Sequence, residues 1–218
     1  NVYYIKCECR LKFEEEYMQI KANIPPNFHN MSLSILDTEF RTQNQAELRK
    51  LDGYGRKLSW AVKTGAGLYL CGKNSVGKSF LGVAILKKAL NEGYSVHFTL
   101  LEELITNAIH YSKHPQLYSD FIQFIKTVDF LMVDEVDKMD SDRPASILSL
   151  FTFLLKERYN AKKPLIVTAN MEKVKFLDAD FINGGRAIFD EKLISIYLQG
   201  DHRTKILKDL EDEVNNGG

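Results

Sequence analysis

A chain of 218 residues can build one sizeable core, or one core with a small appendage. At 44% hydrophobic and 27% charged residues the composition is globular, which excludes an intrinsically disordered chain. Lys plus Arg and Asp plus Glu are both 29, so the net charge is zero and any nucleic-acid site must be a local patch.

The longest apolar runs are too short to span a bilayer, and "NVYYIKCECR" lacks the apolar centre of a signal peptide. Three cysteines give no even disulfide framework, which fits a reducing compartment, so a cytoplasmic protein without a membrane segment is expected. The chain starts at Asn1 rather than Met, which leaves room for residues upstream.

Residues 1–22 mix Tyr3, Tyr4, Ile5, Leu11, Phe13 and Tyr17 with charges and form a short N-terminal extension. The paired prolines of "ANIPPNFHN" (22–30) exclude helix and predict an extended linker. From about Gln43 to Lys63 the residues Leu48, Leu51, Tyr54, Leu58 and Ala61 or Val62 recur every three or four positions. That spacing predicts an amphipathic helix, weakened at Gly53 and Gly55.

Strands and helices then alternate. "GLYLCG" (67–72) reads as a buried strand and "SFLGVAILKKAL" (79–90) as a helix closed by Gly93; "SVHFTL" (95–100) is a second strand. "LEELITNAIHYS" (101–112) and "QLYSDFIQFIKT" (116–127) read as helices broken at "KHPQ", followed by the strand "DFLMVDE" (129–135). "ASILSLFTFLLKERY" (145–159) is a helix with Ile147, Phe151 and Leu154 on one face, and "PLIVTAN" (164–170) a fourth strand. "AIFDEKLISIYLQ" (187–199) reads as the last substantial helix. Near-continuous apolar strands alternating with helices predict an α/β fold, a parallel sheet covered on both faces.

"GKNSVGKS" (72–79) has the spacing G-x-x-x-x-G-K-[ST] between a predicted buried strand and a helix. Such a P-loop cradles phosphates, because glycines let backbone N–H groups approach them and the next helix presents its positive end. Gly72, Lys73, Asn74, Ser75, Val76, Gly77, Lys78, Ser79 and Phe80 are therefore expected to bind the nucleotide, with Lys78 at the β- and γ-phosphates and Ser79 on Mg²⁺. "DFLMVDE" delivers Asp134 to a strand end, where it can hold Mg²⁺, and Glu135 beside it can activate a water. Asn170 ends the next strand, where an amide can contact both that water and the γ-phosphate. ATP and Mg²⁺ are the expected ligands and ATP hydrolysis the expected reaction.

These residues resemble the AAA+ ATPases, and within them the DnaC/DnaI helicase-loader family with its transposition relative IstB, over about residues 22–203. The resemblance rests on "GKSFLGVAILKKAL", "FLMVDEVDK", "KERYNAKKPLIVTAN" and "GDHR" (200–203). It implies an AAA+ type P-loop NTPase, with 1–22 the remnant of an N-terminal module, 23–64 a linker and helix, and 65–218 the ATPase domain. It also implies that "ANIPPNFHN" borders the adenine and that Arg203 contacts the nucleotide. The family's arginine finger lies in an acidic-Arg-Leu step, which here reads "EKL". Either Arg186, six residues earlier, reaches a neighbour's ATP, or Lys192 acts as a weaker cation without the planar fork, or hydrolysis in trans is impaired. Similar loaders carry an N-terminal zinc module, so Cys7 and Cys9 read either as a Zn²⁺ half-site or as two plain thiols.

The expected function is an ATP-dependent loader that self-associates into an AAA+ oligomer, binds a replicative hexameric helicase and engages single-stranded DNA. Cations and rings at the break in "NAIHYSKHPQLY", above all Tyr111 and Lys113, are the expected DNA-binding surface, the alternative being that Tyr111 and Tyr118 pack the two helices together. An IstB-like transposition regulator shares every feature of the ATP site. A P-loop small-molecule kinase would need an arginine-rich lid, whereas only Arg143, Arg158, Arg186 and Arg203 follow Asp140.

Overall fold

The computed structural model describes residues 8–138, 145–170 and 190–200, without side chains at a few positions near the ends of these ranges. Cys7, Arg186 and Arg203 lie outside the described residues, as does the side chain of Cys9.

Five strands form the sheet: β1 (Gly67–Gly72), β2 (Val96–Leu100), β3 (Phe130–Asp134), β4 (Leu165–Ala169) and β5 (Leu193–Leu198). Their order is β2-β3-β4-β1-β5, and every pairing is parallel. Parallel strands need crossovers, and these bring helices to both faces. Alternate strand residues accordingly feed two separate cores. Leu68, Leu70, Met132 and Ile166 pack with Leu81 and Ile85 of helix α5 (Lys78–Asn91). Tyr69, Val133 and Val167 pack instead with Leu104 of α6 (Leu101–Ser112), Ile125 of α7 (Pro115–Thr127) and Phe151 of α8 (Ala145–Asn160).

The amphipathic stretch before β1 keeps its predicted face, with Leu51, Tyr54, Leu58 and Ala61 buried. It is two helices rather than one, α3 (Gln45–Gly55) and α4 (Leu58–Thr64), preceded by a short α2 (Thr38–Gln43). Asp37 caps α2 through Phe40 N, and the chain turns again at Arg56 and Lys57, just after the second glycine. The mixed N-terminal residues form α1 (Glu8–Lys21). The linker after it is not wholly extended, because Pro25 and Pro26 open a 3-10 turn over Pro26–Phe28.

One expected element is wrong. The last substantial helix has only its residues 190–192 in helical form among those described, and Leu193–Leu198 is the edge strand β5, in register with all of β1. "LISIYL" satisfies either period, and a short apolar run cannot be assigned by periodicity alone. Its β-branched and aromatic residues suit a pleated surface: Ile196 is buried, while Ile194 and Tyr197 face outward.

"KERYN" owes its pattern to a structural residue. Arg158 is 1% exposed, and its guanidinium donates to the carbonyls of Ile125 (2.6 Å), Val128 (3.0 Å), Asp129 (3.1 Å) and Pro164 (2.5 Å). It ties the end of α7 to the entries of β3 and β4. Burial pulls its pKa down to about 9, still well above neutral, so the fork stays charged at pH 7.

Candidate functional site

The parallel sheet aligns the C-terminal ends of β1, β3 and β4, and a cleft of about 450 Å³ opens there. β1 ends in Gly72 at φ +148°, where a Cβ would stand 2.3 Å from the Leu198 carbonyl oxygen, so only glycine fits. The loop continues through Ser75 at φ +64° and Gly77 at φ +93°, and α5 starts at Lys78. Val76 is fully buried and anchors the loop, whereas Lys73, Asn74 and Ser75 are exposed. Phe80 is buried at the base of the cleft.

Lys78 is buried and donates from Nζ to the carbonyls of Gly72 (2.9 Å) and Lys73 (2.7 Å) and to Asn170 Oδ1 (2.9 Å). Burial lowers its pKa, opposed by Asp137 and Asp134 nearby. Ser79 Oγ donates to Asp134 Oδ1 at 2.9 Å, and Thr168 Oγ donates to the same oxygen. Burial pushes the Asp134 carboxyl up, against these hydrogen bonds. A divalent cation beside it would reverse that shift, and a hydroxyl paired with a carboxylate is a donor set that suits Mg²⁺.

Glu135 follows with φ +58°, its N–H donated to Thr168 Oγ at 3.0 Å. A non-glycine residue in that conformation is a form of strain that collects at functional sites. Its carboxylate pairs with Lys138 at 2.7 Å across an exposed surface. Asn170 completes the cluster, donating from Nδ2 to Asp137 Oδ2 at 2.8 Å. The other oxygen of Asp137 is buried and finds no hydrogen-bond partner among the described residues.

The structure therefore brings together Lys78 and Ser79 from the start of α5, Asp134 and Glu135 from the end of β3, and Asn170 from the end of β4. Sequence reasoning missed Thr168 and Asp137. Both carry a signal in hindsight: each lies two residues from a recognised site residue on the same strand or turn, in "TAN" and "DEVD". Phe28, Met31 and Ile35 also line the cleft, beside the phosphate loop.

Two further expected residues lie away from this cleft. Tyr111 is half-buried, its ring tilted against that of Phe121 at 5.5 Å, so it packs α6 on α7; Lys113 is exposed at the break between them. Lys192 pairs with Glu191 at 2.7 Å and sits 5.6 Å from the Tyr159 ring centre, at the entry of β5, opposite its own chain's cleft. No group of His, Cys, Asp or Glu among the described residues could hold a zinc ion, and no described helix is long and apolar enough to cross a membrane.

A model of the IstB-like ATP binding proteins matches residues 17–181. The chain belongs to this family. No curated protein matches the sequence closely enough to count as a relative. A DnaC helicase loader superposes with a TM-score of 0.67 at 22% identity, over 80% of this chain and 100% of that one. DnaI gives 0.62 at 20% identity, covering 81% and 95%. A DnaA replication initiator bound to AMPPCP and single-stranded DNA gives 0.63 at 19%, covering 88% of this chain but 56% of that one. AMPPCP-bound DnaA from Aquifex aeolicus gives 0.61 at 18%, covering 88% and 57%. The family member thus has the AAA+ type fold of these proteins and spans a little over half the length of the DnaA structures.

Proposed function

We propose that this IstB-like protein is an ATPase that loads a replicative hexameric helicase onto single-stranded DNA, with ATP binding and hydrolysis switching its self-association. The observation that carries the reading is the convergence of Lys78, Ser79, Asp134, Glu135 and Asn170 at one strand-end cleft. The match to the whole solved chain of a DnaC helicase loader supports the loading role.

Lys78 exchanges its two carbonyls and the Asn170 oxygen for the β- and γ-phosphate oxygens. Ser79 and Asp134 would hold Mg²⁺, which when bound neutralises charge on the phosphates. Glu135 leaves Lys138 and takes a proton from the attacking water, whose oxygen bonds to the γ-phosphorus as ADP departs with the bridging oxygen. Breaking that surface pair costs at most about 1 kcal/mol. Asn170, freed from Lys78, orients the water and reads the γ-phosphate. Arg186 or Lys192 of a neighbouring copy supplies a cation in trans. The exposed Lys113 takes part in strand binding, and Tyr111 supports it through its packing on Phe121.

One observation favours a second reading, a transposition regulator: the matching family is named for IstB. Affinity capture with tagged protein and ATP, offering a hexameric helicase and a transposase separately, distinguishes the two. Helicase retained only with ATP supports loading, and transposase alone retained refutes it. In the same preparation, Lys113→Ala should weaken single-strand binding several-fold, about 1 kcal/mol, without changing the melting temperature. Unaltered binding would move the DNA surface elsewhere.

A further inference from the structure

Between α1 and α2 the chain forms a strap, residues 22–36, with two short 3-10 turns, Pro26–Phe28 and Leu33–Ile35, as its only regular structure. It starts at the sheet: Phe98 N–H donates to the Ala22 carbonyl at 2.9 Å, and Asn23 Nδ2 donates to the Phe98 carbonyl at 3.0 Å. It ends against α2, where Arg41 donates to the carbonyls of Leu36 (2.8 Å) and Leu33 (2.6 Å). In between, Phe28, Met31 and Ile35 enter the wall of the cleft that holds Lys78 and Ser79.

A segment so short of ladder bonds must satisfy its carbonyls elsewhere. One side chain serves three of them in the middle of the strap. Lys87 Nζ donates to the carbonyls of His29 (2.7 Å), Met31 (3.2 Å) and Phe28 (3.4 Å), and the strap's own His29 Nε2 lies 2.7 Å from the Ile24 carbonyl. An ammonium has three hydrogens, and here each has a carbonyl. Lys87 stands on α5, about two and a half turns beyond Lys78. One rigid helix therefore carries the phosphate-binding residues at its start and the clip for the apolar wall further along. Its geometry sets the distance between the two.

We infer that Lys87 is a positioning residue for the nucleobase: it holds the strap so that Phe28, Met31 and Ile35 form an apolar wall for the adenine of ATP. This rests on the reading of the cleft as an ATP site. The ammonium itself is spent on carbonyls and does not touch the phosphates, so its influence falls on the base alone.

Calorimetric titration of the full chain with ATP and with inorganic tripolyphosphate separates the two ends of the cleft. Wild type should bind ATP at least about tenfold more tightly than tripolyphosphate, an increment a buried ring readily supplies. Lys87→Met should weaken ATP by about tenfold and leave tripolyphosphate within about twofold, and Lys87→Arg should recover most of the loss. Lys87→Gln, which keeps a donor, is measured in parallel in case the methionine variant does not fold, and should show the same selective loss in smaller degree. Equal losses for both ligands, or no loss for ATP, would overturn the inference. So would a wild type that binds both ligands equally, which would leave the phosphate site standing. A wild type that binds neither would refute the ATP site itself.

Discussion

Replacing Arg158 with methionine should destabilise the protein severely while leaving the cleft's chemistry alone. The substitution removes the donor to four carbonyls, of which Pro164 O still accepts from Leu131 N at 3.3 Å. Three carbonyls, those of Ile125, Val128 and Asp129, lose this partner. Stranded buried acceptors cost about 1–3 kcal/mol each, which alone would reach roughly 3–9 kcal/mol. The lower part of that range is the better expectation, because the variant no longer buries a guanidinium whose desolvation is itself unfavourable. We therefore expect a loss of about 3–5 kcal/mol, as when one partner of a buried charged network is removed. For a chain of this size that is a fall in melting temperature of roughly 10 °C or more. Arg158→Lys keeps the charge but cannot span two pairs of carbonyls from one nitrogen, so it should recover only part of the loss. Urea melts followed by far-ultraviolet circular dichroism measure the effect. Nucleotide affinity of the folded fraction should be unchanged, because Arg158 sits at the strand entries and the cleft at the strand exits. A loss below about 1 kcal/mol, typical of a surface substitution, would refute the view that this arginine staples the sheet.

Glu135→Gln should retain ATP binding and abolish turnover, since an amide keeps the shape but takes no proton; unchanged phosphate release would remove Glu135 from the mechanism. Ser75→Gly should stabilise the nucleotide-free protein by about 0.5 kcal/mol, the relief of a left-handed serine (about 1–2 kcal/mol) less the added freedom of the unfolded chain (about 0.4–1 kcal/mol), and a loss of stability in urea would show that the serine side chain contributes more than its backbone costs. Arg186→Ala should cut the ATPase rate by roughly 10³-fold or more while Lys192→Ala leaves it nearly intact, a trans finger being worth about 10³–10⁵; the reverse pattern would make Lys192 the cation in trans.

What could be read without coordinates follows from how local the information is. The phosphate loop, the strand-end acid Asp134 and the strand-end amide Asn170 each sit in a short segment whose pattern also dictates its backbone, so motif and geometry arrive together. The break between α6 and α7 was visible because Pro115 cannot continue a helix. β5 was not visible, since its identity is settled by the empty edge of β1 rather than by anything within "LISIYL". The same holds for the strap: its fold depends on Lys87, more than fifty positions away in sequence, so nothing within "ANIPPNFHN" could reveal which carbonyls are held.

Arg158 shows how a distinctive pattern can have a structural cause. The run "KERYN…KKPLIVTAN" is the most distinctive resemblance in the chain, and the resemblance says nothing of what its arginine does. Its guanidinium instead lies at the end of the sheet away from the phosphates and contacts only backbone carbonyls. The pattern is specific because four carbonyls from two crossovers must converge on one planar fork, a demand no lysine or neutral side chain meets. By contrast Asp137 and Thr168, which support the cleft, sit in ordinary-looking positions. Their contribution is to fix neighbours: Thr168 holds both the Asp134 carboxylate and the Glu135 backbone, and Asp137 holds Asn170 while Asn170 holds Lys78. On the proposed reading, a phosphate that takes the Lys78 hydrogen now given to Asn170 would break this chain at its first contact and free Asn170. In that reading the residue that grips the nucleotide also frees the residue that reads it.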